Sequence, residues 1–576
     1  MTDTPDEIVK RVAGAEILRF PRAAAPGAAG TPKSDDPPTA ASTAAGSASP
    51  RPHGDFGEGW KAPFREDDEF GGSGGGAGDD GSARERELGF LPLTDLGNAE
   101  RFHRRYSGQL LYCRAIGWLA WDGKRWQREG AEERVGLAEH ATVRAIQDEA
   151  RAVKNSDADF GMGKGVWYSD KIAAWGRSSE SATRMAAISK RAAAMFATSA
   201  TELDRDPMRI NVLNGTLRVR KVEGEPYITM SPHDPNDRIT KLSPVVYEPG
   251  AECPKFDAFL ARVQPDAAAR TFLAQWGGLS LTGDVGEQKM TFHYGKGRNG
   301  KGVWVNTVSF VAGDYADSIP IESFLDSGRA RAGGQATPDI AGLPGVRMLT
   351  TSEPKKGAVL DEAFIKLFTG NDKIKARHLN KDYFEFFPQA KLTMQGNYRP
   401  KISGTDEGIW GRMILVPWPV FIPAADRNPY LVDELKREAS GILNRLLDGL
   451  CFWLDRGLEI PAAVVEATAA YRSDSDPLGR FLDACTRPEI GKRVQASDMH
   501  AVYVAWAKVN GETEWTPKGL GSALRERGYA EKKSSVQYWL DVELTKGVGD
   551  FLDVHGKPLH SRGADDAAAV HEGFSE

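Results

Sequence analysis

Large apolar side chains are sparse in the chain up to about Glu87. They then return in two rhythms, strict alternation and the three-to-four spacing of a helix face. Stretches such as AAAPGAAGTPKSDDPPTAASTAAGSASPRP and GGSGGGAGDDGS bury too little to offset the entropy of ordering them, which predicts a disordered leader over residues 1–88. Within it, Ile8, Val12, Ile17 and Leu18 give Met1–Phe20 a short amphipathic pattern, read as a frayed helix or as a segment that docks on a partner. Order is expected from near Phe90.

Leu110–Trp126 reads as two strands joined at Asp122-Gly123, with Trp118, Trp121 and Trp126 as aromatic bulk. Ala131–Lys154 and Ser179–Leu203 read as helices, and Asn211–Arg220 as a second hairpin turning on Asn214-Gly215. Tryptophans beside Lys124, Arg125 and Arg128 suit a base-stacking platform, but a packed hairpin core explains them more simply. A linker dense in proline and aspartate, Ser231–Pro254, closes this α+β region, residues 89–250. Phe256–Leu281 then predicts a helix burying Phe259, Leu260, Val263, Phe272, Leu273, Trp276 and Leu279.

The helix delivers the chain to its most informative stretch, QKMTFHYGKGRNGKGVWVNTVSFV. Met290, Phe292 and Tyr294 alternate with Thr291 and His293, a half-buried strand, while Trp304, Thr307, Val308 and Val311 share one helical face. The loop between them, from Gly295 through Gly297, Asn299 and Gly300 to Lys301 and Gly302, has the spacing of a Walker A phosphate loop. Glycines let backbone N–H groups curl around phosphate, the helix dipole favours the anion, and Lys301 reaches the terminal phosphates. Gly302 stands where a magnesium-binding Ser or Thr is expected. The plain alternative is a glycine-rich turn with two surface lysines.

Three further segments suit phosphoryl chemistry. Val346–Glu353 is an apolar strand ending in Ser352-Glu353, where Glu353 would polarise an attacking water and Ser352 replaces the usual magnesium-binding aspartate. Lys391–Asn397 is a short strand ending in an amide suited to a terminal phosphate or its water, although such an asparagine also serves in turns. Gly408–Arg412 places Arg412 after Trp410 and before the strand Met413–Val416. Between acid and amide, Lys373, Lys375, Arg377, His378 and Lys381 crowd about Tyr383–Phe387, either a basic hairpin for a single strand or a solvated face. Further on, two helices, Ser497–Asn510 and Pro517–Arg527, and a strand, Val536–Val542, suggest a winged-helix-like domain over residues 476–546. Lys518, Arg525, Arg527, Lys532 and Lys533 would give it a basic rim, and a plain interaction domain is the alternative; residues 547–576 read as a loose tail.

Composition adds bounds. At 576 residues several domains are expected, and a net charge of -6, with much of the acid in the first hundred residues, neither supports nor excludes nucleic acid. Cys113, Cys253, Cys451 and Cys485 are far apart, with no zinc-type pair, which suits a reducing cytosol. The sequence has no signal-like start and no membrane-spanning apolar run, so a soluble, cytoplasmic protein without a membrane partner is expected.

In this order the segments GWLAWDGKRW, NVLNGTLRVR, LTGDVGEQK, GKGRNGKG, SEPKKGAVLDEAFIKLFTGNDKIKAR, QGNYRP, GTDEGIWGRMILVPW and SDPLGRFL resemble the phage and plasmid primase-helicase family. That family's motor belongs to helicase superfamily 3, the group that includes the poxvirus primase-helicase, and the resemblance runs from about Leu93 to Asp483. It implies an α/β P-loop NTPase core of AAA+-like type over residues 251–475, preceded by an accessory domain. It also implies ATP and Mg2+ as cofactors, with nucleotide binding by Gly295, Gly297, Asn299, Gly300, Lys301 and Gly302. Glu353 would be the acid and a metal ligand, Asn397 the sensor, and Arg412 an arginine finger. Lys373, Lys375, Arg377 and Lys381 would contact DNA. The expected activity is an ATP-dependent DNA helicase, a homo-hexameric ring on single-stranded or forked DNA. The chain itself is not expected to prime, because residues 89–250 show no DxD-plus-His set and Asp204-Arg-Asp206 fits a helix end; the expected partners besides DNA and further copies are a separate primase or other replication proteins. Alternatives are an origin-binding scaffold with a decayed ATPase, suggested by Gly302 and Ser352, and a DNA-packaging motor.

Overall fold

Five short strands run in one direction to form the central sheet. Ala316–Ile319, Met348–Thr351, Lys391–Gly396, Met290–Tyr294 and Met413–Pro417 lie side by side in that order, all parallel. Met290 is in register with Leu392 and Met413, and Tyr294 with Gly396 and Pro417, so the neighbouring strands start and stop nearly together. The computed structural model describes residues 16–18, 80–326, 337–351, 353–377, 379, 383–402, 404 and 407–559; Ser352, His378 and Lys381 lie outside the described residues.

The alternation in Met290–Tyr294 predicts one wet face, yet Thr291 and His293 are as buried as Met290 and Phe292. Parallel sheets carry helices on both faces, and this one does. One face packs Met290, Phe292, Leu349, Leu392 and Met394 with Phe364, Ile365 and Phe368 of the Glu362–Thr369 helix. On the other, Trp276 of the Ala267–Leu279 helix donates through Nε1 to Thr393 Oγ1 at 2.9 Å. The Lys301–Ala312 helix buries Trp304, Thr307, Val308 and Val311, the face their spacing predicts.

Where the sequence predicts one helix over Phe256–Leu281 there are two, Pro254–Val263 and Ala267–Leu279. Pro265 disfavours helical backbone at Gln264, and Asp266 caps the second helix by accepting from Ala268 N at 2.9 Å. Leu110–Trp126 holds parts of three strands rather than two: Leu110–Cys113, Gly117–Trp121 and Trp126–Gln127, the extra turn ending at Gly117 with φ +106°. Trp118 and Trp126 are buried and Arg125 pairs with Asp122 and Asp314, which is the packed core and not a stacking platform. The hairpin at Asn214-Gly215 forms as expected, Val212 pairing with Gly215. Glu16–Leu18 is a strand at the edge of that hairpin's sheet, not helix, strand pairing overriding a weak local pattern; the rest of the amphipathic segment Met1–Phe20 lies outside the described residues. The segment read as a linker is packed: Ser243 Oγ donates to Val311 O at 2.6 Å, and Val245 and Tyr247 are buried.

The described residues divide into two compact units, one drawn from residues 16–17, 107–134 and 196–559, the other from residues 18, 80–106 and 135–195. The described part of the second is helical: Asp80–Gly89, Asp95–Tyr106, most of Ala131–Lys154, Tyr168–Ser179 and Ala182–Ala192. Helix was predicted as far as Leu203, but the last of these ends at Ala192 and Ala197–Thr198 is a strand. Its core, Ile146, Ala150, Val153 and Ile172, encloses an ion pair with no exposure, Arg101 Nε to Glu149 Oε2 at 2.7 Å. In the first unit, the C-terminal helices Pro477–Cys485, Ala496–Asn510 and Pro517–Glu526 pack Phe481, Tyr503, Trp506 and Leu524 against Trp539 of a small antiparallel sheet. That sheet orders Thr486–Gln495, Gln537–Leu544 and Glu531–Lys533. No helix of the described residues is long and apolar enough to cross a membrane.

At the N-terminal ends of the central strands, two buried cations bind carbonyl oxygens. Arg347 Nη1 donates to Arg209 O at 2.6 Å and Leu281 O at 2.9 Å, its Nη2 to Asp206 O at 3.3 Å, and its guanidinium lies 4.3 Å from the Tyr315 ring centroid. Lys391 Nζ donates to Thr282 O, and to Asp284 O and Gln389 O at 3.0 Å each. Arg347→Ala would leave several buried carbonyls without donors and should cost about 3 kcal/mol or more in denaturant unfolding. Arg347→Lys should recover only part, because an ammonium lacks the planar fork. An unfolding midpoint unchanged in Arg347→Ala would show that water replaces the guanidinium freely.

Candidate active site

The C-terminal ends of three adjacent strands meet at one place. Met290–Tyr294 runs into the loop 295–300 and the Lys301–Ala312 helix. Met348–Thr351 is followed by Glu353, and Lys391–Gly396 by Asn397. Lys301, 9% exposed, donates from Nζ to Gly295 O at 3.0 Å and to Asn397 Oδ1, and Asn397 N donates to Glu353 Oε1. Lysine, amide and carboxylate thus form one hydrogen-bonded chain. Burial holds the Lys301 ammonium below its ordinary value, while the Glu353 charge pulls the other way.

The loop's glycines have separate reasons. Gly300 adopts φ +86°, and a Cβ there would lie 2.8 Å from Val263 Cγ1 and 3.0 Å from Phe259 Cε2. At Gly295 a Cβ would lie 2.6 Å from Trp418 O, and at Gly297 it would meet only the Asn397 side chain, at 3.8 Å. Asn299 is buried, its Nδ2 donating to Trp418 O at 3.3 Å and its Oδ1 accepting from Lys301 N at 3.4 Å. Beside the loop lies a cavity of about 810 Å³, lined by Arg298, Gly300 and Val303 together with Phe259, Val263 and Leu431.

Arg412 is not part of this cluster. It precedes the Met413–Pro417 strand, whose far end, Pro417, is the one level with Tyr294. At about 3.3 Å per residue, five residues put it roughly 15 Å from the loop. Its Nε donates to Thr369 Oγ1 at 3.0 Å and its Nη1 to Gly408 O, while the neighbouring Trp410 donates through Nε1 to Gly404 O at 2.9 Å. Lys373, Lys375 and Arg377 alternate with buried Ile374 and Ala376 along a hairpin, Ile374–Ala376 with Phe384–Phe386, and so share its outer face. Lys373 lies 5.5 Å from the Phe387 ring centroid and the Arg377 guanidinium 4.7 Å from that of Tyr383.

Sequence reasoning missed Trp418, which backs the loop, and the pair Phe259 and Val263, which press on Gly300; all three lie far from the loop in sequence. No group of three or more His, Cys, Asp or Glu side chains fit to hold a metal exists among the described residues. A magnesium ion shared with phosphates and water needs only one or two protein carboxylates, a requirement that Glu353 fits.

Residues 99–265 match the family model described as D5 N terminal like. A protein named as a candidate helicase, L207/L206 of Acanthamoeba polyphaga mimivirus, is 27% identical over 273 residues, covering 44% of this chain and 28% of that protein. Protein 022R of Frog virus 3, also named as a candidate helicase, is 27% identical over 325 residues, 53% of this chain and 31% of its own. Protein C962R of African swine fever virus, named as a candidate primase, is 26% identical over 334 residues, 54% of this chain and 34% of its own. The likeness to primase-helicase proteins is therefore shown in sequence, and the chain spans about a third or less of the length of these relatives.

Beneath the loop, His293 is stacked between Trp304 and Trp418, with ring centroids at 5.1 and 5.7 Å, and accepts from Trp418 Nε1 at 3.2 Å. Burial, with a smaller push from Lys301, lowers its pKa from 6.5 to about 3, so the folded protein holds it neutral. The unfolded chain takes up that proton first as pH falls. The contribution is therefore complete above pH 6.5 and lost progressively towards pH 3. His293→Gln, which keeps an acceptor for Trp418, should make stability less steep in pH across that window by about one proton. Equal slopes in the two proteins would assign the acid sensitivity elsewhere.

Proposed function

We propose that this chain is an ATP-driven DNA helicase of superfamily 3 type that acts in replication as a homo-hexameric ring. The observation that carries the reading is the chain Lys301–Asn397–Glu353, drawn from three adjacent strand ends beside a glycine loop and a helix N-terminus. Phosphate would sit on the loop's N–H groups, with the Lys301 ammonium neutralising its terminal oxygens. Glu353 would orient and polarise water for in-line attack on the γ-phosphorus, the β–γ bridging oxygen leaving with ADP, while Asn397 holds the phosphoryl oxygens. Glu353 would also hold magnesium, which supplies charge neutralisation when bound. The cavity of about 810 Å³ beside Gly300 is apolar enough for a base and ribose.

Arg412 supports the ring. From roughly 15 Å away it cannot serve its own loop, but a second copy packed against that end of the sheet would bring an arginine to it. The cations of the Ile374–Ala376 hairpin suit the phosphates of single-stranded or forked DNA. The C-terminal helices and three-stranded sheet suit a winged-helix-like domain, the accessory region would precede the motor, and priming would come from another protein. Gly302 favours one rival, an origin-binding scaffold whose ATPase has decayed. ATP turnover measured with and without single-stranded DNA separates the two, since a scaffold would show none.

Lys301→Ala and Arg412→Ala should each lower turnover by about a thousandfold or more. A mixture that exchanges subunits should recover part of it, because some interfaces then join an intact loop to an intact arginine. No recovery in verified hybrid rings would confine Arg412 to its own subunit. Lys373→Ala with Lys375→Ala should lower the salt slope of single-strand binding by about 1.4, roughly 0.7 per phosphate contact, and spare basal turnover. An unchanged slope would make these lysines a solvated face.

A further inference from the structure

Gly302 leaves the phosphate-loop helix without the hydroxyl that such loops ordinarily aim at magnesium. The helix face that starts there continues through Asn306 and Ser309, one and two turns on. Those residues line a cavity of about 700 Å³, and the central strands supply Ser318, Thr350 and Gln395 to its opposite wall. A Cβ built on Gly302 would have a single neighbour within 4 Å, Gln395 Oε1 at 3.8 Å.

Register puts Gln395 there. It pairs with His293, and partners in a parallel ladder point to the same face of the sheet. His293 packs on Trp304 of the loop helix, so Gln395 points towards that helix as well, two residues before Asn397. Among the described residues nothing hydrogen-bonds the Gln395 carboxamide, although its neighbours Thr350 and Asn397 are engaged. Two residues before the proposed sensor, an uncommitted neutral oxygen thus faces the place where the hydroxyl is missing.

We infer that Gln395 supplies the neutral oxygen that Gly302 lacks, accepting from the water shell of a magnesium ion that Glu353 and the nucleotide phosphates hold. The inference rests on the nucleotide-hydrolysis reading. Magnesium keeps several waters and takes few protein carboxylates, so a side-chain carbonyl beside the loop meets its needs without added charge. Outer partners of this kind are worth about 10–100-fold in metal affinity.

Mn2+ titrated into the ADP complex of the full chain, with free Mn2+ read by electron paramagnetic resonance, tests this. Gln395→Leu, close in size, should weaken Mn2+ by about 10–100-fold while ADP affinity in EDTA stays unchanged. Adding Gly302→Ser to Gln395→Leu should restore Mn2+ binding, because the Cβ site is open. Gln395→Glu, which keeps an oxygen, should bind Mn2+ at least as tightly as wild type. Wild-type Mn2+ affinity in Gln395→Leu would overturn the proposal. If that variant fails to fold, weakened Mn2+ binding in Gln395→Glu would do so instead. A wild-type chain that binds no ADP even in EDTA would overturn the nucleotide reading itself, a result distinct from either.

Discussion

Parallel strands in one register are the constraint from which the rest follows. When Met290, Leu392 and Met413 begin together, the C-terminal ends of their strands must emerge together, and whatever follows each strand meets its neighbours there. Residues 295–301, 353 and 397 are distant in sequence, yet the ladder leaves them little freedom to lie apart. The hydrogen bonds from Lys301 to Asn397 and from Asn397 to Glu353 need only small local adjustments to a geometry the backbone already sets. The same constraint removes Arg412, because a residue that precedes a strand emerges at the other end.

The two ends differ in how they treat positive charge. At the N-terminal end, Arg347 and Lys391 are buried and donate to several backbone carbonyl oxygens, with burial holding Lys391 well below its ordinary value. These cations are structural staples, joining the loops near Asp206, Leu281 and Asp284 to the sheet. At the C-terminal end, Lys301 donates to only one carbonyl and one side-chain oxygen, so its ammonium is less fully engaged. A buried lysine so placed suits a ligand, whereas one caged by three carbonyls does not.

Local pattern made the loop legible. The glycines, Lys301 and the helix face of Trp304, Val308 and Val311 lie within one short stretch, so spacing alone places them. The hairpin at Asn214-Gly215 was legible for the same reason. What the sequence hid was set by distant contacts. His293 reads as solvent-facing until Trp304 and Trp418 enclose it. The break at Gln264 is a different case, since the neighbouring Pro265 marks it locally within an otherwise apolar pattern. The strand at Glu16–Leu18 exists through pairing with a sheet that follows it by some two hundred residues, and no window of sequence contains both. Arg412 is the intermediate case. Its place before a strand was readable, but what that place excludes became plain only when the strand proved parallel to Met290–Tyr294.

The same topology gives Gly302 a reading other than decay. A decayed loop has no reason to keep the rest of its geometry, yet Gly300 retains a backbone conformation that side chains resist, and Asn299 stays buried and bonded to Trp418 O. Lys301 likewise remains half of a hydrogen-bonded pair with Asn397. Losing a hydroxyl one residue after the lysine is tolerable when another oxygen occupies the adjoining space, and Gln395 Oε1 does so from the next strand. The ligand set would then have moved across the sheet rather than vanished. A glutamine in that role adds no charge beside Glu353, so the attraction between the carboxylate and Lys301 is left undisturbed.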